Sequence, residues 1–258
     1  MDFDYDYLTK EVYKLTQIDL SLYKQNQMKR RIDALLIRRK ISGYDNYIEF
    51  IKNDKDGLKE FVEYITINVS EFYRNPEQWQ ILTDKIIPEL ISKYGKKLKI
   101  WSAACSTGDE PYSLVMALSK YVPLSDISII ATDISDDIIE KAKIGIYSDK
   151  SVANVPKEYL DKYFTQNGGF YSLSNEIKRC VHFKKHNLLK DEFDKDYNLI
   201  VCRNVLIYFT EDAKDEIFRK YYKSLSRGGV LFIGSTEQIM NYKDVGYSRK
   251  SSFFYEKP

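Results

Sequence analysis

Glycine is scarce in this chain, 11 among 258 residues, and only Gly108 falls in the turn "WSAACSTGDEPYS" (Trp101–Ser113) that joins a strand-like run to a helix-like one. A turn built to cradle a dinucleotide pyrophosphate carries three glycines so that the backbone can approach the phosphates closely. That ligand class is therefore excluded here. Cysteine is scarcer still: Cys105, Cys180 and Cys202 are odd in number and lack C-x-x-C spacing, which argues for a reducing compartment and against a thiolate metal site. The two histidines, His182 and His186, lack adjacent carboxylate or thiolate partners and make a poor metal site. No apolar run approaches the roughly 20 residues needed to cross a bilayer, and the acidic start "MDFDYDYLTK" has no signal-peptide core. A net charge of +2 is too small to call for a nucleic-acid or membrane partner. These absences predict a cytoplasmic protein without metal, nucleic acid or membrane insertion.

What is present divides the chain. Residues 1–74 carry helical periodicity in "LTKEVYKLTQIDL", "NQMKRRIDALLIRRK", "GYDNYIEFIKND" and "GLKEFVEYITINV", punctuated by Gly, Asp and Asn. Residues 75–95 predict a linker helix with Asn75 as N-cap, Pro76 at its first position, a bend at Pro88 and a stop at Gly95. From residue 96 to 258, continuous apolar runs ("LKIWSAAC", "ISIIATDI", "YNLIVCRNVLIYF", "GGVLFIGST") alternate with helical patterns. That alternation predicts an α/β fold with a doubly wound parallel sheet. "YSRKSSFFYEK" reads as an antiparallel hairpin at the sheet edge, and the tyrosine-rich stretch at about 147–180, with "QNGG", reads as an inserted small β-subdomain.

The glycine-poor turn suits a ligand without phosphates, because Ala103, Ala104 and Cys105 crowd the space that a pyrophosphate would need. S-adenosylmethionine is such a ligand. Asp133, in "ATDIS" at the end of the second strand, is placed to accept hydrogen bonds from both ribose hydroxyls; the competing role is to cap the following helix, which Ser135 also fits. Glu110, beside the turn, could hold a ligand amine, or be a first-turn glutamate favoured by the helix dipole.

Four segments, "ITINVSEFYRNPEQW", "WSAACSTGDEPYSL", "ATDIS" and "CRNVLIYF", together resemble the chemotaxis receptor methyltransferases of the CheR type in order, spacing and context. The resemblance spans essentially the whole chain. It implies a Rossmann-like S-adenosylmethionine methyltransferase sheet with a small all-α N-terminal domain. The implied activity esterifies glutamate side chains on the cytoplasmic methylation helices of chemoreceptors and leaves S-adenosylhomocysteine. It puts Asn68, Ser70 and Arg74 at the cofactor and reaction centre; Ser70 stands where many members have threonine. Glu110, the glutamate before proline, is the cofactor contact in that family, with Asp109 where many relatives have a second glutamate. Asp133 matches the ribose-binding aspartate, Asn187 and Leu188 lie near the adenine, and Arg203, Asn204 and Tyr208 follow the fourth strand. Ala103 lines the same pocket. A monomer is expected.

This chemistry needs no general base, since a glutamate is already ionised at neutral pH; positioning and electrostatics carry it. Arg74 offers bidentate recognition of a carboxylate and Tyr208 a directional donor, whether Arg74 meets the substrate's carboxylate or the cofactor's. Arg30, Arg31, Arg38 and Arg39 form a basic helix face opposite Ile32, Leu35 and Leu36. It reads as a solvated face or as a docking surface for an acidic helical partner, and the family's use of its N-terminal domain favours docking. The compact "QNGG" turn argues against tethering by a receptor C-terminal peptide. Two rivals stand beside this reading: a methyltransferase with another acceptor, against which "CRNVLIY" lacks the Asn/Asp-Pro-Pro-Tyr type motif, and a non-catalytic cofactor sensor, against which Arg74 and Tyr208 are both present.

Overall fold

The computed structural model describes residues 3–258 and divides into two compact units. The first comprises the residues up to Asn68 together with Tyr208–Lys214. Its helices run Phe3–Thr16, Gln25–Arg39, Tyr44–Asn53 and Lys55–Thr66, with a 3-10 turn at Leu20–Leu22. Apolar residues at helical spacing (Leu8, Val12, Ile32, Leu35, Ile48, Phe61, Ile65) are buried and form the core of this bundle. Asp54 starts the last helix by accepting from the Gly57 N–H at 2.8 Å. The returning segment lies along residues 22–24: Lys24 N–H donates to the Tyr208 carbonyl at 2.8 Å, Thr210 N–H donates to Leu22 at 2.9 Å, and the Tyr23 and Phe209 rings meet edge to face.

The second unit, Val69–Ile207 with Asp215–Pro258, is built on a seven-stranded sheet. In chain order the strands are β1 (Ile100–Ala103), β2 (Ile129–Asp133), β3 (Ile146–Ser148), β4 (Phe164–Asn167), β5 (Phe170–Leu173), β6 (Val181–Lys185), β7 (Tyr197–Cys202), β8 (Leu225–Ile233), β9 (Ser248–Ser251) and β10 (Phe254–Glu256). The large sheet has the order β6-β2-β1-β7-β8-β10-β9. The first five strands are parallel, and β10 and β9 are antiparallel. The order reverses between β1 and β7, so the crevice outside their carboxyl ends is the topological switch point where open α/β sheets bind ligands.

Five parallel strands stand where four continuous apolar runs were expected. The additional one, β6, is a sheet edge with only Val181 buried, so "VHFKK" carries no continuous apolar signature. The inserted subdomain is an antiparallel sheet in the order β3-β5-β4, with "QNGG" closing β4 onto β5 through Gly168 and Gly169.

The helix after Asn75 lies wholly within the second unit. Trp79, Leu82, Ile86, Ile87 and Leu90 join the same buried cluster as Leu199, Phe232 and Phe254. Pro88 cannot donate to the carbonyl one turn back, and the helix answers with a π segment at Leu82–Ile86 just ahead of it. Gly95 ends it at φ 81°. Asn75 precedes the helix as expected but does not cap it: it sits at φ 60° with no side-chain cap bond.

Candidate functional site

The turn after β1 leaves the strand through left-handed residues, Ala104 (φ 62°), Ser106 (φ 50°) and Gly108 (φ 89°). Only the last must be glycine on steric grounds as well, since a Cβ there would meet the Tyr112 ring at 2.8 Å and Ala142 at 3.0 Å. Asp133, at the end of β2, is buried and closes the turn from beneath. Its carboxylate accepts from the Ser106 N–H at 2.9 Å and the Ser135 N–H at 3.2 Å. Burial pushes its pKa up and these donors pull it back. Helix capping falls instead to Ser135, whose hydroxyl accepts from the Ile138 N–H at 3.4 Å. His186 N–H donates to the Asp133 carbonyl at 2.8 Å, which brings the following loop to the same place. There the Asn187 side chain accepts from the Leu189 N–H at 3.0 Å, and Leu188 is buried.

Glu110 stands in the first turn of the helix Asp109–Ser119 and accepts from the Ser102 hydroxyl at 2.8 Å. Its pKa is pushed up to about 7, chiefly by burial and further by the charge of Glu237, against the pull of Arg203, Ser102 and Arg74. Asp109 beside it is fully buried and accepts from the hydroxyls of Thr107 (2.5 Å) and Ser151. Thr107 is local to the turn, but Ser151 is 42 positions away, and that bond gives Asp109 a clamping role that no local pattern announces.

Asp109 helps to fasten the segment 69–75 onto this unit. Phe72 N–H donates to the Ser151 carbonyl at 3.0 Å and Tyr73 N–H to the Ser113 hydroxyl at 3.1 Å. The Arg74 carbonyl accepts from Trp79 Nε1 at 3.1 Å and from Arg203 Nη2 at 2.7 Å. The backbone of Arg74 is therefore fixed, while its half-buried guanidinium makes one contact with the Val69 carbonyl, at 3.3 Å. Arg203, expected to meet the cofactor, is itself buried. Its Nη2 also lies 3.1 Å from Asn75 Oδ1 and 2.9 Å from Gln78 Oε1, and its guanidinium packs on the Phe232 ring. The geometry makes it an anchor for the Arg74 segment, and it explains why the Asn75 amide is not free to cap.

After β7 the chain turns through Asn204 at φ 60°. Asn204 Nδ2 reaches the Thr236 hydroxyl at 3.5 Å, while its Oδ1 is buried without a partner. Glu237, a buried carboxylate that sequence reading passed over, accepts the Asn204 N–H at 2.9 Å.

Two expected site residues belong to the helical unit. Asn68 donates to the Thr66 hydroxyl at 3.1 Å, and Tyr208 is half-buried with its carbonyl bonded to Lys24. The basic helix is also less open than its spacing implies. Arg38 and Arg39 share the Glu60 carboxylate. Arg31 donates to the Tyr64 carbonyl and lies over that ring at 4.6 Å. Arg30 is exposed and donates within its own helix, to the Asn26 carbonyl.

The ends of β1, β2 and β7 thus gather Glu110, Asp133 and the orphaned Asn204 Oδ1, three acceptor groups. This set fits a ligand that presents an ammonium and vicinal hydroxyls, as S-adenosylmethionine does, and offers nothing to a pyrophosphate. Comparison with known proteins agrees. Residues 4–66 match the family described as "CheR methyltransferase, all-alpha domain", and residues 68–254 match "CheR methyltransferase, SAM binding domain". The chain is 41% identical over 254 residues to proteins named "Chemotaxis protein methyltransferase" from Listeria innocua and Listeria monocytogenes, covering 98% of this chain and 97% of each relative. A protein of the same name from Borreliella burgdorferi is 32% identical over 259 residues, covering 95% of this chain and 92% of that one.

Proposed function

The chain belongs to the CheR methyltransferase family, and from that premise we propose that it esterifies glutamate side chains on the cytoplasmic helices of chemoreceptors. It is an S-adenosylmethionine-dependent methyltransferase of chemotaxis; the receptor glutamates, the cytoplasmic setting and the residue roles below are our reading. Among the described residues, no helix is long and apolar enough to cross a membrane.

When bound, the cofactor supplies an electrophilic methyl group on a sulfonium. Glu110 would hold the cofactor's ammonium, Asp133 would accept from the ribose hydroxyls, and Asn204 Oδ1 would take a further donor. Arg74, its backbone fixed from two sides, presents a guanidinium suited to a carboxylate. The incoming glutamate is ionised, so no side chain has to remove a proton; the site's work is to align the carboxylate oxygen with the methyl carbon. The observation that carries this reading is the convergence of three acceptors on the switch point, one of them buried and unpartnered.

The test is transfer of labelled methyl groups to membranes containing chemoreceptors, followed by mild alkali. Carboxyl esters release volatile labelled methanol, and Arg74→Ala should abolish most of that signal. Label that resists alkali would assign another acceptor.

A further inference from the structure

We propose that Glu237 is a positioning residue for methyl transfer, holding the loop after β7 so that the amide of Asn204 faces the cofactor. The proposal rests on the cofactor reading above and adds the residue that shapes the site. Both oxygens of the Glu237 carboxylate are saturated by backbone donors. Oε2 accepts from Gly234 N–H at 2.7 Å and Asn204 N–H at 2.9 Å; Oε1 accepts from Val205 N–H at 3.1 Å and Leu206 N–H at 2.8 Å. Three successive amides of one loop and one from the end of β8 thus converge on one side chain that is 4% exposed. Among the described residues these four N–H groups bond to this carboxylate, and removing it would cost each of them that partner in a buried setting.

The consequence falls on Asn204. It is held at φ 60°, in the left-handed region that asparagine enters more readily than other non-glycine residues, so its surroundings choose the turn it makes there. The bond from its N–H to Glu237 is part of that determination, and the outcome is an Oδ1 left buried without a partner at the switch point. Gly234 completes the junction. A Cβ there would lie 2.8 Å from both the Asn204 nitrogen and Glu237 Oε2, so the two loops meet at a distance that only glycine permits. The carboxylate also acts through space: its charge raises the Glu110 pKa and favours the Arg203 cation.

Glu237→Gln preserves size and shape but turns one acceptor oxygen into a donor facing two N–H groups. A packing role would tolerate it; an acceptor role would not. Affinity for S-adenosylhomocysteine, measured by calorimetry in the full chain, should fall at least tenfold in Glu237→Gln and in Asn204→Ala. The double variant should be no weaker than the weaker single one, because both remove the same contact. The pH at which affinity is half-lost on acidification should also move lower in Glu237→Gln, as Glu110 loses a negative neighbour. Should Glu237→Gln not fold, Gly234→Ala tests the same junction with the carboxylate retained and should give the same loss, again non-additive with Asn204→Ala. If Asn204→Ala weakens binding and neither Glu237→Gln nor Gly234→Ala does, the proposal is overturned and the cofactor reading stands. If Asn204→Ala and Glu110→Gln both bind as the native chain does, the cofactor reading itself fails and takes the proposal with it.

Discussion

Glu110 is where a single residue's chemistry becomes measurable. Burial raises its pKa to about 7 from an ordinary 4.5, so the unliganded fold holds a proton that the unfolded chain releases between those pH values. Its contribution to stability is therefore lost as pH rises from 4.5 through 7, by on the order of 3 kcal/mol. A bound ammonium reverses this by favouring the carboxylate. At pH 6, cofactor binding should release close to one proton per site, read from calorimetry in two buffers of different ionisation enthalpy. The release should vanish in Glu110→Gln. Proton-neutral binding by the native chain at pH 6 would mean that Glu110 does not meet the amine. Asp133 differs: backbone N–H groups pull against the burial that raises its pKa, so part of the anion's stabilisation is built into the turn before any ligand arrives.

Among the elements, the helix Gln25–Arg39 shows how a charge run can be partly silenced by its neighbour. Glu60, on the helix Lys55–Thr66, takes both Arg38 and Arg39, and Arg31 is drawn onto Tyr64. Those ion pairs are exposed on their arginine side, and pairs of that kind contribute about 0–1 kcal/mol. Glu60→Gln should therefore leave the melting temperature nearly unchanged while freeing two cations on the face. If that face docks an acidic receptor helix, the Michaelis constant for receptor should fall in Glu60→Gln and rise in Arg30→Glu, with both effects shrinking in high salt. Receptor kinetics that ignore both substitutions return the helix to the solvated-face reading.

At the scale of the whole molecule, the chain does not divide into two consecutive blocks. Tyr208–Lys214, from within the second half of the sequence, belongs to the helical unit. Phe209 is 4% exposed and lies edge to face on Tyr23 at 4.9 Å. Phe209→Ala should destabilise the helical unit by roughly 3 kcal/mol, the cost of truncating a buried phenylalanine. Hydrogen exchange would show it as lost protection in residues 5–66. Unchanged protection there would show that the returning segment is not part of that unit's stability.

The sequence by itself determined what local patterns can encode. Apolar runs gave four of the five parallel strands, helical spacing gave the four N-terminal helices, and the edge hairpin and inserted antiparallel sheet followed from turn chemistry. The resemblance in four separated segments, later matched by the comparisons, named the family and cofactor. Only tertiary structure decided the use of individual polar groups. Arg203 sits in a motif that points to the cofactor, and the fold also sets its Nη2 on the Arg74 carbonyl, 129 positions away. Glu237 carried no signal at all. A carboxylate that gathers four amides from two loops depends on residues about 30 positions apart, and a side chain's hydrogen-bond partner is fixed by which loops the fold brings within 3 Å, a distance that no one-dimensional pattern contains.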